Sequence, residues 1–335
     1  MRTIRGKCLR LRRLIIAYIV AILAAPLVAG GATGETYPSR PIRLVVAFSP
    51  GGTTDFVCRL LADRVRTVLG QSIVVENKPG ASGAIGADYV SKAAPDGYTL
   101  FFSTAGALAI NPSMRTDLPY DPINGFTPIL PVARNTVVFA INPSLGVASA
   151  QDMIARAREK PGSLTVAVTG IGAISHLTVE MLQLSAKIKL QVVPYRGAGA
   201  AIADLIGGQV NAMSAEVPVL ISQIKAGKAK ILAVASQSRF EGMPDVPTFA
   251  ELGYPDVVAD NWTGLLAPPK TRPEVVAELN AAFNAVLRDP DVRRRLAEVG
   301  VSTIGGTPED LTALITRETA RWHKVVAQTG VKTAD

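Results

Sequence analysis

Three glycine-rich turns carry residue types that could bind a small anion. The first, FSPGGTTD, begins at Phe48, after an apolar stretch and before a helical pattern. Its glycines, Gly51 and Gly52, permit positive φ angles or close approach of a ligand to the backbone. The threonines that follow can cap the helix, and free N–H groups at a helix start attract anions. Asp55 either contacts a polar or cationic ligand group or only complements the helix dipole; an ordinary tight turn is the alternative for the whole segment.

The second turn, TGIGAISH at residues 169–176, is similar in spacing to a dinucleotide-binding fingerprint with Ser175 in the last glycine position. That fingerprint expects an acidic residue about 20 positions on, and the sequence there is VVPY at 192–195. A nicotinamide cofactor is therefore not expected. What remains is a second helix start, with the Ser175 hydroxyl available to an anion or as a cap. His176 is either a ligand contact or a hydrogen-bonded structural imidazole behind the loop.

The third turn, PYRGAG at residues 194–199, places a tyrosine at another predicted strand end. Tyr195 could close over a ligand and donate its hydroxyl, or pack as a half-buried ring. Alternation along the extended segment turns Arg196 outward, so we expect a solvated side chain. Glu216, after the next short strand, could line the cleft or cap the helix that follows at Val217.

Residues for catalysis or metal binding do not form a recognisable group. His176, His323 and Cys58 lack a common metal-binding spacing, and the sequence has no GxSxG, HExxH or P-loop pattern. Cys58 lies in a helical apolar stretch, as expected of a small buried side chain rather than a nucleophile. We therefore predict that the turns hold a ligand without transforming it, and we expect no cofactor, no metal and no enzymatic activity.

The elements that position these turns alternate between short β-branched strands and helical patterns, over residues 42–103 and again over 164–235. Such alternation predicts mostly parallel open sheets with helices on both faces, and ligands bind beyond the carboxyl ends of their strands. Proline-rich segments at 111–143 and 243–269 predict two crossings between the sheets.

Two lobes are expected because about 300 residues exceed one comfortable core. We assign residues 38–135 and 256–335 to lobe 1, with the C-terminal helices returning to it, and residues 136–255 to lobe 2. The predicted fold class is thus α/β, with a ligand cleft between two hinged lobes.

The first 32 residues have the composition of a signal peptide, with six basic residues, no acid and an apolar run of about 14 residues. That run is short of the about 20 residues that a membrane span needs. We predict export to the periplasm, with cleavage near residues 29–34. Removing the signal lowers the net charge from +8 to +2, so nothing favours binding to nucleic acid. Cys58 then remains alone, which excludes a disulfide framework.

Several dispersed runs resemble one known family. They are YPSRPI at 37–42, the first turn at 48–55, VENKPG at 75–80, PDGYTL at 95–100, SHL at 175–177 and VPYRG at 193–197. Over nearly the whole mature chain, the sequence resembles the extracytoplasmic solute receptors of tripartite tricarboxylate transporters, the Bug family. Arg196 stands where lysine is more usual. Residues 211–214 depart from the pattern, because many relatives carry an acidic residue and a phenylalanine there.

The resemblance implies a two-lobed periplasmic binding protein, type II-like, that closes like a Venus flytrap on one carboxylate. Backbone amides, hydroxyls and ordered waters hold the ligand. The implied contacts are Phe48, Gly51, Gly52, Thr53, Asp55, Ser103, Thr104 and Ala105 in lobe 1, and Thr169, Gly170, Gly172, Ser175, Tyr195 and Ala198 in lobe 2.

The implied partners are a small carboxylate and a membrane permease of the tripartite tricarboxylate type, with the receptor itself a monomer. Dicarboxylates, tricarboxylates, aromatic acids and acidic amino acids all remain open as ligands. The alternatives are a ligand sensor that acts on a membrane signalling protein and an exported α/β enzyme.

Overall fold

The computed structural model describes residues 37–195, 197–240 and 242–331. The predicted signal peptide and Arg196 lie outside the described residues. The described residues from Pro38 onward form one compact unit. Among the described helices, none combines the length and apolar character that crossing a membrane requires.

The described residues contain ten α-helices, of which eight follow the helical patterns of the sequence; two, at Asn111–Met114 and Ala150–Glu159, were not predicted. The bounds of the ten helices are α1 Thr53–Leu69, α2 Ala84–Ser91, α3 Asn111–Met114, α4 Ala150–Glu159, α5 Ile174–Ala186, α6 Ala198–Ile206, α7 Val217–Lys225, α8 Pro273–Arg288, α9 Pro290–Glu298 and α10 Pro308–Thr329. A π-helical turn, Gly106–Ile110, leads into α3, and a short 3-10 turn, Ala81–Gly83, precedes α2.

Ten strands form one continuous curled sheet within the described residues. They are β1 Ile42–Val46, β2 Ile73–Asn77, β3 Thr99–Thr104, β4 Thr127–Ile141, β5 Thr165–Val168, β6 Gln191–Pro194, β7 Ala212–Glu216, β8 Lys230–Val234, β9 Asp260–Ala267 and β10 Val301–Thr303. Their order is β2-β1-β3-β9-β4-β7-β5-β6, with β8 and β10 also paired to β4. The outer strands are parallel, as predicted, whereas every pair that involves β4 or β9 is antiparallel.

The long strand β4 joins the two halves of the sheet, and it lies in the first segment predicted to cross. Its register slips after Pro128 and again after Pro131, because proline has no N–H to donate to the ladder. The second predicted crossing segment contains β9. β4 pairs with β9 up to Thr136, and with β7 from Val137 onward. The two halves therefore meet between Thr136 and Val137.

The strand directions bring the two sets of carboxyl ends toward each other. In the first half, β4 runs parallel to β1 and β3, because both β3 and β4 are antiparallel to β9. In the second half, β4 is antiparallel to β7, whose last residue, Glu216, lies opposite Val137. We call the space between these carboxyl edges the interlobe cleft. All three glycine-rich turns follow strands that end at this cleft.

Helices cover both faces of each half. α8 packs against α1 and β4, while α10 packs against β4 and the π-helical turn and also reaches α5 in the second half. Leu311 of α10 sits so close to Gly264 of β9 that a Cβ there would lie 2.8 Å from the leucine side chain. The C-terminal helices thus return to the first half, as predicted, and α10 additionally spans the junction.

Candidate functional site

The first turn is held in shape by hydrogen bonds that converge on Asp55. Gly51, at φ +84°, donates its N–H to Asp55 Oδ2 at 3.0 Å. Asn77 Nδ2 donates to Asp55 Oδ1 at 2.8 Å and to the Phe48 carbonyl at 2.9 Å. Arg59 Nε donates to Asp55 Oδ2 at 3.0 Å, and its Nη2 donates to Asn77 Oδ1 at 2.8 Å. Both carboxylate oxygens are therefore engaged within the chain.

The charge of Asp55 is compensated locally. Burial alone would raise the pKa of Asp55, but hydrogen bonds from Arg59, Gly51 and Asn77 outweigh it and lower the pKa below its ordinary value. The carboxylate stays ionised and keeps the turn closed on itself. Of the two roles predicted for Asp55, the structure shows it bonded within the turn.

The helix after this turn begins without a side-chain cap. Gly52 is its N-cap residue, and no side chain bonds to the first turn of α1. The expectation that Thr53 or Thr54 caps the helix is therefore wrong, because a glycine already occupies the cap position. Phe48 is half-buried, and Gly51 and Gly52 are exposed. The N–H groups of the first helical turn lack intrahelical acceptors, which suits an anion.

A second segment of the first half lies beside this turn, at the end of β3. Ser103, Thr104 and Ala105 are all buried there. A Cβ added at Gly106 would lie 3.3 Å from Thr104 Oγ1 and 3.5 Å from the Ser82 carbonyl oxygen. The predicted strand end thus borders the segment that contains Ser82.

The segment around Ser82 was missed by the sequence analysis. Ala81 and Ser82 have φ angles of +46° and +52°, a region that residues other than glycine seldom adopt. Asn111 Nδ2 donates to both carbonyls, at 3.3 and 3.2 Å. Such strained backbone often marks a binding site. The signal in the sequence was a pair of glycines: Gly80, which ends one of the runs that carried the family resemblance, and Gly83, three residues later.

The second turn is held by neutral groups. Thr169 donates its N–H to Ser175 Oγ at 3.1 Å, and the two hydroxyl oxygens lie 2.9 Å apart. Ser175 is fully buried, and the N-cap residue of α5 is Ala173. The Ser175 hydroxyl therefore closes the turn and does not cap α5. As in the first half, the helix begins without a side-chain cap.

His176 stands behind the second turn. Its Nδ1 accepts the Gly172 N–H at 3.0 Å, and its Nε2 lies 3.4 Å from Glu180 Oε1. An imidazole that accepts at Nδ1 and faces a carboxylate at Nε2 carries its proton on Nε2. This geometry matches the structural role that the sequence analysis left open for His176.

The second turn also touches the first half of the sheet. Gly172 has a φ of +70° and is buried. A Cβ added there would lie 2.7 Å from Met114 Cε and 3.1 Å from Met114 Sδ. Met114 ends α3, which follows β3. This contact bridges the interlobe cleft between the two halves.

The third turn keeps its tyrosine within the second half. Tyr195 is partly buried beside the core of that half and donates its hydroxyl to Asp204 Oδ2 at 2.5 Å. Burial, the hydrogen bond and the charge of Asp204 raise the pKa of Tyr195 to about 12. Its N–H donates to the Val168 carbonyl at 2.9 Å, so the third turn adjoins the start of the second. Ala198 begins α6 after Gly197, again without a side-chain cap.

A row of polar residues on the strands beside the cleft was also missed. Thr104 of β3 lies opposite Thr263 of β9, and Asn261 of β9 lies opposite Asn135 of β4. Paired residues, and residues two apart, share one face of a sheet. Asn261 Nδ2 donates to Glu216 Oε1 at 3.1 Å. The row therefore connects the end of β3 with the end of β7. Its signal, polar residues alternating in DNWT, was hidden by the surrounding prolines.

Glu216 lies where β7 ends at the cleft. Burial raises the pKa of its carboxyl above the ordinary value, while bonds from its own backbone and from Asn261 oppose that rise. Glu216 is the N-cap residue of α7, yet its side chain makes no capping hydrogen bond. The capping role predicted for Glu216 is therefore wrong, and its role as a lining residue stays a prediction.

A separate groove, of about 1110 Å³, contains none of the predicted site residues. It lies between α5, α10 and the strands at the junction. Its inner carboxyl groups face arginines, with Arg134 Nε 3.8 Å from Asp260 Oδ2 and Arg321 Nη1 2.9 Å from Glu318 Oε2. Burial raises the pKa of Asp260 to about 6, with Arg134 and Arg321 opposing it. These charges already compensate one another, so we assign no ligand to this groove.

Groups that could hold a metal are absent from the described part of the chain. Cys58 is buried, and burial together with the nearby Asp55 raises the pKa of its thiol well above the ordinary value. A thiol in such surroundings is a packing side chain and a poor nucleophile. The candidate site thus consists of backbone N–H groups, hydroxyls and amides around the uncapped starts of α1, α5 and α6.

The sequence is similar to a known protein family and to a protein of the Bug group. The model of the family described as "Tripartite tricarboxylate transporter family receptor" matches residues 57–331, which leaves the first turn just outside the match. Protein BugT of Bordetella pertussis is 37% identical over 319 residues, which cover 95% of this chain and 98% of BugT.

Two similar solved structures contain ligands. Rpa4515 of R. palustris, solved with adipate, is 35% identical with a TM-score of 0.82, and the match covers 89% of this chain and 100% of Rpa4515. MatC of Rhodopseudomonas palustris, solved with bound malate, is 33% identical with a TM-score of 0.77, covering 87% and 100%. The predicted α/β fold of a two-lobed periplasmic binding protein is confirmed by these likenesses.

Proposed function

Because the chain belongs to the tripartite tricarboxylate transporter receptor family, we propose that it captures a small carboxylate in the interlobe cleft and delivers it to a membrane permease. The family consists of receptors, and the proposed role is accordingly binding without turnover. Since ligands of open α/β sheets bind beyond the carboxyl ends of the strands, the cleft is the expected place.

One observation carries this proposal: helices α1 and α5 both begin at the cleft without a side-chain cap. Each leaves backbone N–H groups of its first turn free for an anion, and the helix dipoles favour negative charge there. The side chains that could have competed for these N–H groups are bonded elsewhere. Asp55 bonds to Gly51, Arg59 and Asn77, and Ser175 bonds to Thr169.

The site residues divide into two roles. We propose that Asp55, Ser175 and Tyr195 position the turns through the bonds described above. The remaining predicted residues contact the ligand through backbone or hydroxyl groups, namely Phe48, Gly51, Gly52, Thr53, Ser103, Thr104 and Ala105 from the first half and Thr169, Gly170, Gly172 and Ala198 from the second.

The ligands of two relatives support the proposed ligand class. Adipate in Rpa4515 and malate in MatC are both dicarboxylates on short chains. Two uncapped helix starts on opposite sides of one cleft could each receive a carboxylate of such a molecule. We propose a dicarboxylate, tricarboxylate, aromatic acid or acidic amino acid as the ligand of this chain.

The place and motion of the protein complete the proposal. We propose that residues 1–32 direct export to the periplasm, where the mature chain acts as a monomer. Lobe 1 comprises 38–135 with 256–335, and lobe 2 comprises 136–255. The lobes close by bending where β4 passes from β9 to β7, between Thr136 and Val137.

A thermal-shift screen of the chain lacking residues 1–32 tests the proposal. A ligand present at 100 times its Kd adds about 2.7 kcal/mol of stability, which gives a clear rise in Tm. The screen should contain succinate, adipate, malate, citrate, benzoate and aspartate, with chloride and sulfate as control anions. Analysing each stabilising acid after incubation would reveal any turnover. If no carboxylate raises Tm more than the control anions do, the proposed function is wrong.

Small-angle scattering with a stabilising acid tests the closure. The radius of gyration should fall on ligand addition and recover on dialysis. An unchanged radius with a tightly bound acid would contradict hinge closure but leave ligand capture intact.

A further inference from the structure

Four carboxyl groups are buried or partly buried near the junction and the first turn, and three of them face a cation. Asp55 bonds to Arg59, Asp260 lies near Arg134, and Glu318 bonds to Arg321. Glu216 differs. Within the described residues, only burial, its own backbone and the neutral amide of Asn261 shift the pKa of Glu216. Glu216 is partly buried, and a negative charge in such a place without a counter-charge is disfavoured unless a ligand or a proton neutralises it.

The position of Glu216 makes a ligand the natural source of that charge. Glu216 is the last residue of β7, at the carboxyl edge of the second half. β7 lies beside β5, and β5 leads directly into the second turn at Thr169. Asn261 holds Glu216 Oε1 from the side of the first half, at 3.1 Å. The carboxyl group therefore stands between the two halves of the proposed site.

Two further acceptors lie on the same face of these strands. Ser214 is two residues before Glu216, and Asn135 is two residues before Val137, the residue opposite Glu216. Among the described residues, neither Ser214 Oγ nor Asn135 Oδ1 has a hydrogen-bond partner, although the two residues are only 0% and 2% exposed. Since buried polar atoms are nearly always paired, this face offers an amide oxygen that requires a donor and a hydroxyl that can accept from one.

We propose that Glu216 accepts the ammonium group of the ligand, so that the preferred ligands are amino acids or other amino-bearing carboxylates. An ammonium group supplies both the missing positive charge and three N–H donors. A second ligand carboxylate placed at this position would instead be repelled by ionised Glu216. The inference rests on the proposed function, because the ligand's carboxylate must already bind at the helix starts.

Matched pairs of acids that differ only by an amine test the proposal. The pairs are aspartate with succinate, glutamate with glutarate, and 2-aminoadipate with adipate, each measured by isothermal titration with the signal-free chain. We expect the aminated member of the best-fitting pair to bind at least tenfold more tightly. In Glu216→Gln the side chain keeps its shape and its bond from Asn261, and the preference should vanish or reverse. Glu309→Gln, an exposed site on α10, is the matched control and should keep it.

The outcomes separate this inference from the proposed function. If unaminated acids bind as tightly as their aminated partners, or more tightly, the role of Glu216 is wrong while carboxylate capture stands. If all acids fail to bind, the proposed function falls and this inference falls with it. A tenfold preference that Glu216→Gln leaves unchanged assigns the ammonium to other groups and also overturns the proposal. Even if the variant does not fold, the absence of a preference for the aminated acids in the unaltered chain overturns the proposal.

Discussion

The first and second turns occupy equivalent places, yet different chemistry holds each in shape. In the first, an ionised carboxylate, Asp55, collects bonds from Gly51, Arg59 and Asn77. In the second, the paired hydroxyls of Thr169 and Ser175 and the imidazole of His176 hold the turn. Both arrangements leave the following helix without a side-chain cap.

This difference separates a self-contained turn from a dependent one. The bonds of the first turn all lie within its own half of the sheet, and a Cβ at Gly51 would meet nothing within 4 Å. The second turn reaches across the cleft, because Gly172 packs against Met114. We therefore expect the first turn to keep its shape whether the cleft is open or closed. The conformation of the second turn should depend on closure.

Replacing Asp55 should break the first turn and give the largest effect. Asp55→Ala removes the acceptors of Gly51, Arg59 and Asn77 and leaves partly buried donors without partners. We expect a loss of about 2–4 kcal/mol in the free energy of unfolding, and at least a tenfold loss in ligand affinity. Urea unfolding and isothermal titration measure the two quantities.

The control for this prediction lies on the same helix. Within the part of the chain that the structure describes, Asp63 forms an ion pair only with Arg66, and both side chains are more than half exposed. Asp63→Ala should change stability by less than about 0.5 kcal/mol and leave affinity unchanged. If Asp55→Ala proves equally mild, the first turn does not depend on its carboxylate, and the contrast between the turns disappears.

The positions of the turns could be predicted from the sequence, because strand-to-helix transitions with paired glycines have a local signature. The halves of the sheet were predictable from the alternation of strands and helices, and the crossings from the density of prolines. The role of each side chain could not be predicted, because the sequence is equally compatible with Asp55 and Ser175 as ligand contacts and as residues that hydrogen-bond within their own turns. That choice depends on Asn77 and Thr169, and above all on how the strands bring them near.

The polar row beside the cleft escaped prediction for a different reason. Asn261 and Glu216 are 45 positions apart in the chain. Their contact exists because β4 pairs with both β9 and β7 and so brings the ends of these strands together. Prolines in β4 also disguised a 15-residue strand as a connection. Non-local strand pairing is the part of a fold that periodicity within one segment cannot report.

Asp260 must be removed before a pH experiment can compare the turns. Its pKa in the folded protein, about 6, is above the ordinary 3.8, so its contribution to stability is present below about pH 4 and lost as pH rises through 6. Asp55 has a lowered pKa, so its contribution is present above about pH 4 and lost as pH falls through the folded value. The two dependences have opposite signs.

Asp260→Asn should therefore stabilise the protein at pH 7 and change little near pH 4. The gain at pH 7 should be at most about 3 kcal/mol, from 1.36 kcal/mol per pKa unit. Urea unfolding at pH 4.5, 5.5 and 7 measures it, with exposed Asp256→Asn as the control in the same segment. A difference between variant and wild type that does not grow with pH would show that Asp260 is not the group that titrates near 6.

The contact across the cleft can be isolated with two glycine substitutions. Gly51→Ala and Gly172→Ala both place a side chain at positive φ, +84° and +70°, and each should cost about 1 kcal/mol of stability. Only the alanine at 172 meets a neighbour, the flexible end of Met114, which can move at little cost. The two variants should thus be similarly stable, whereas Gly172→Ala should lose more ligand affinity, because the displaced methionine hinders closure. Adding Met114→Ala to Gly172→Ala should recover the extra ligand affinity that was lost. The stability cost of the positive φ at residue 172 should remain. If affinity stays low in the double variant, the second turn is as self-contained as the first.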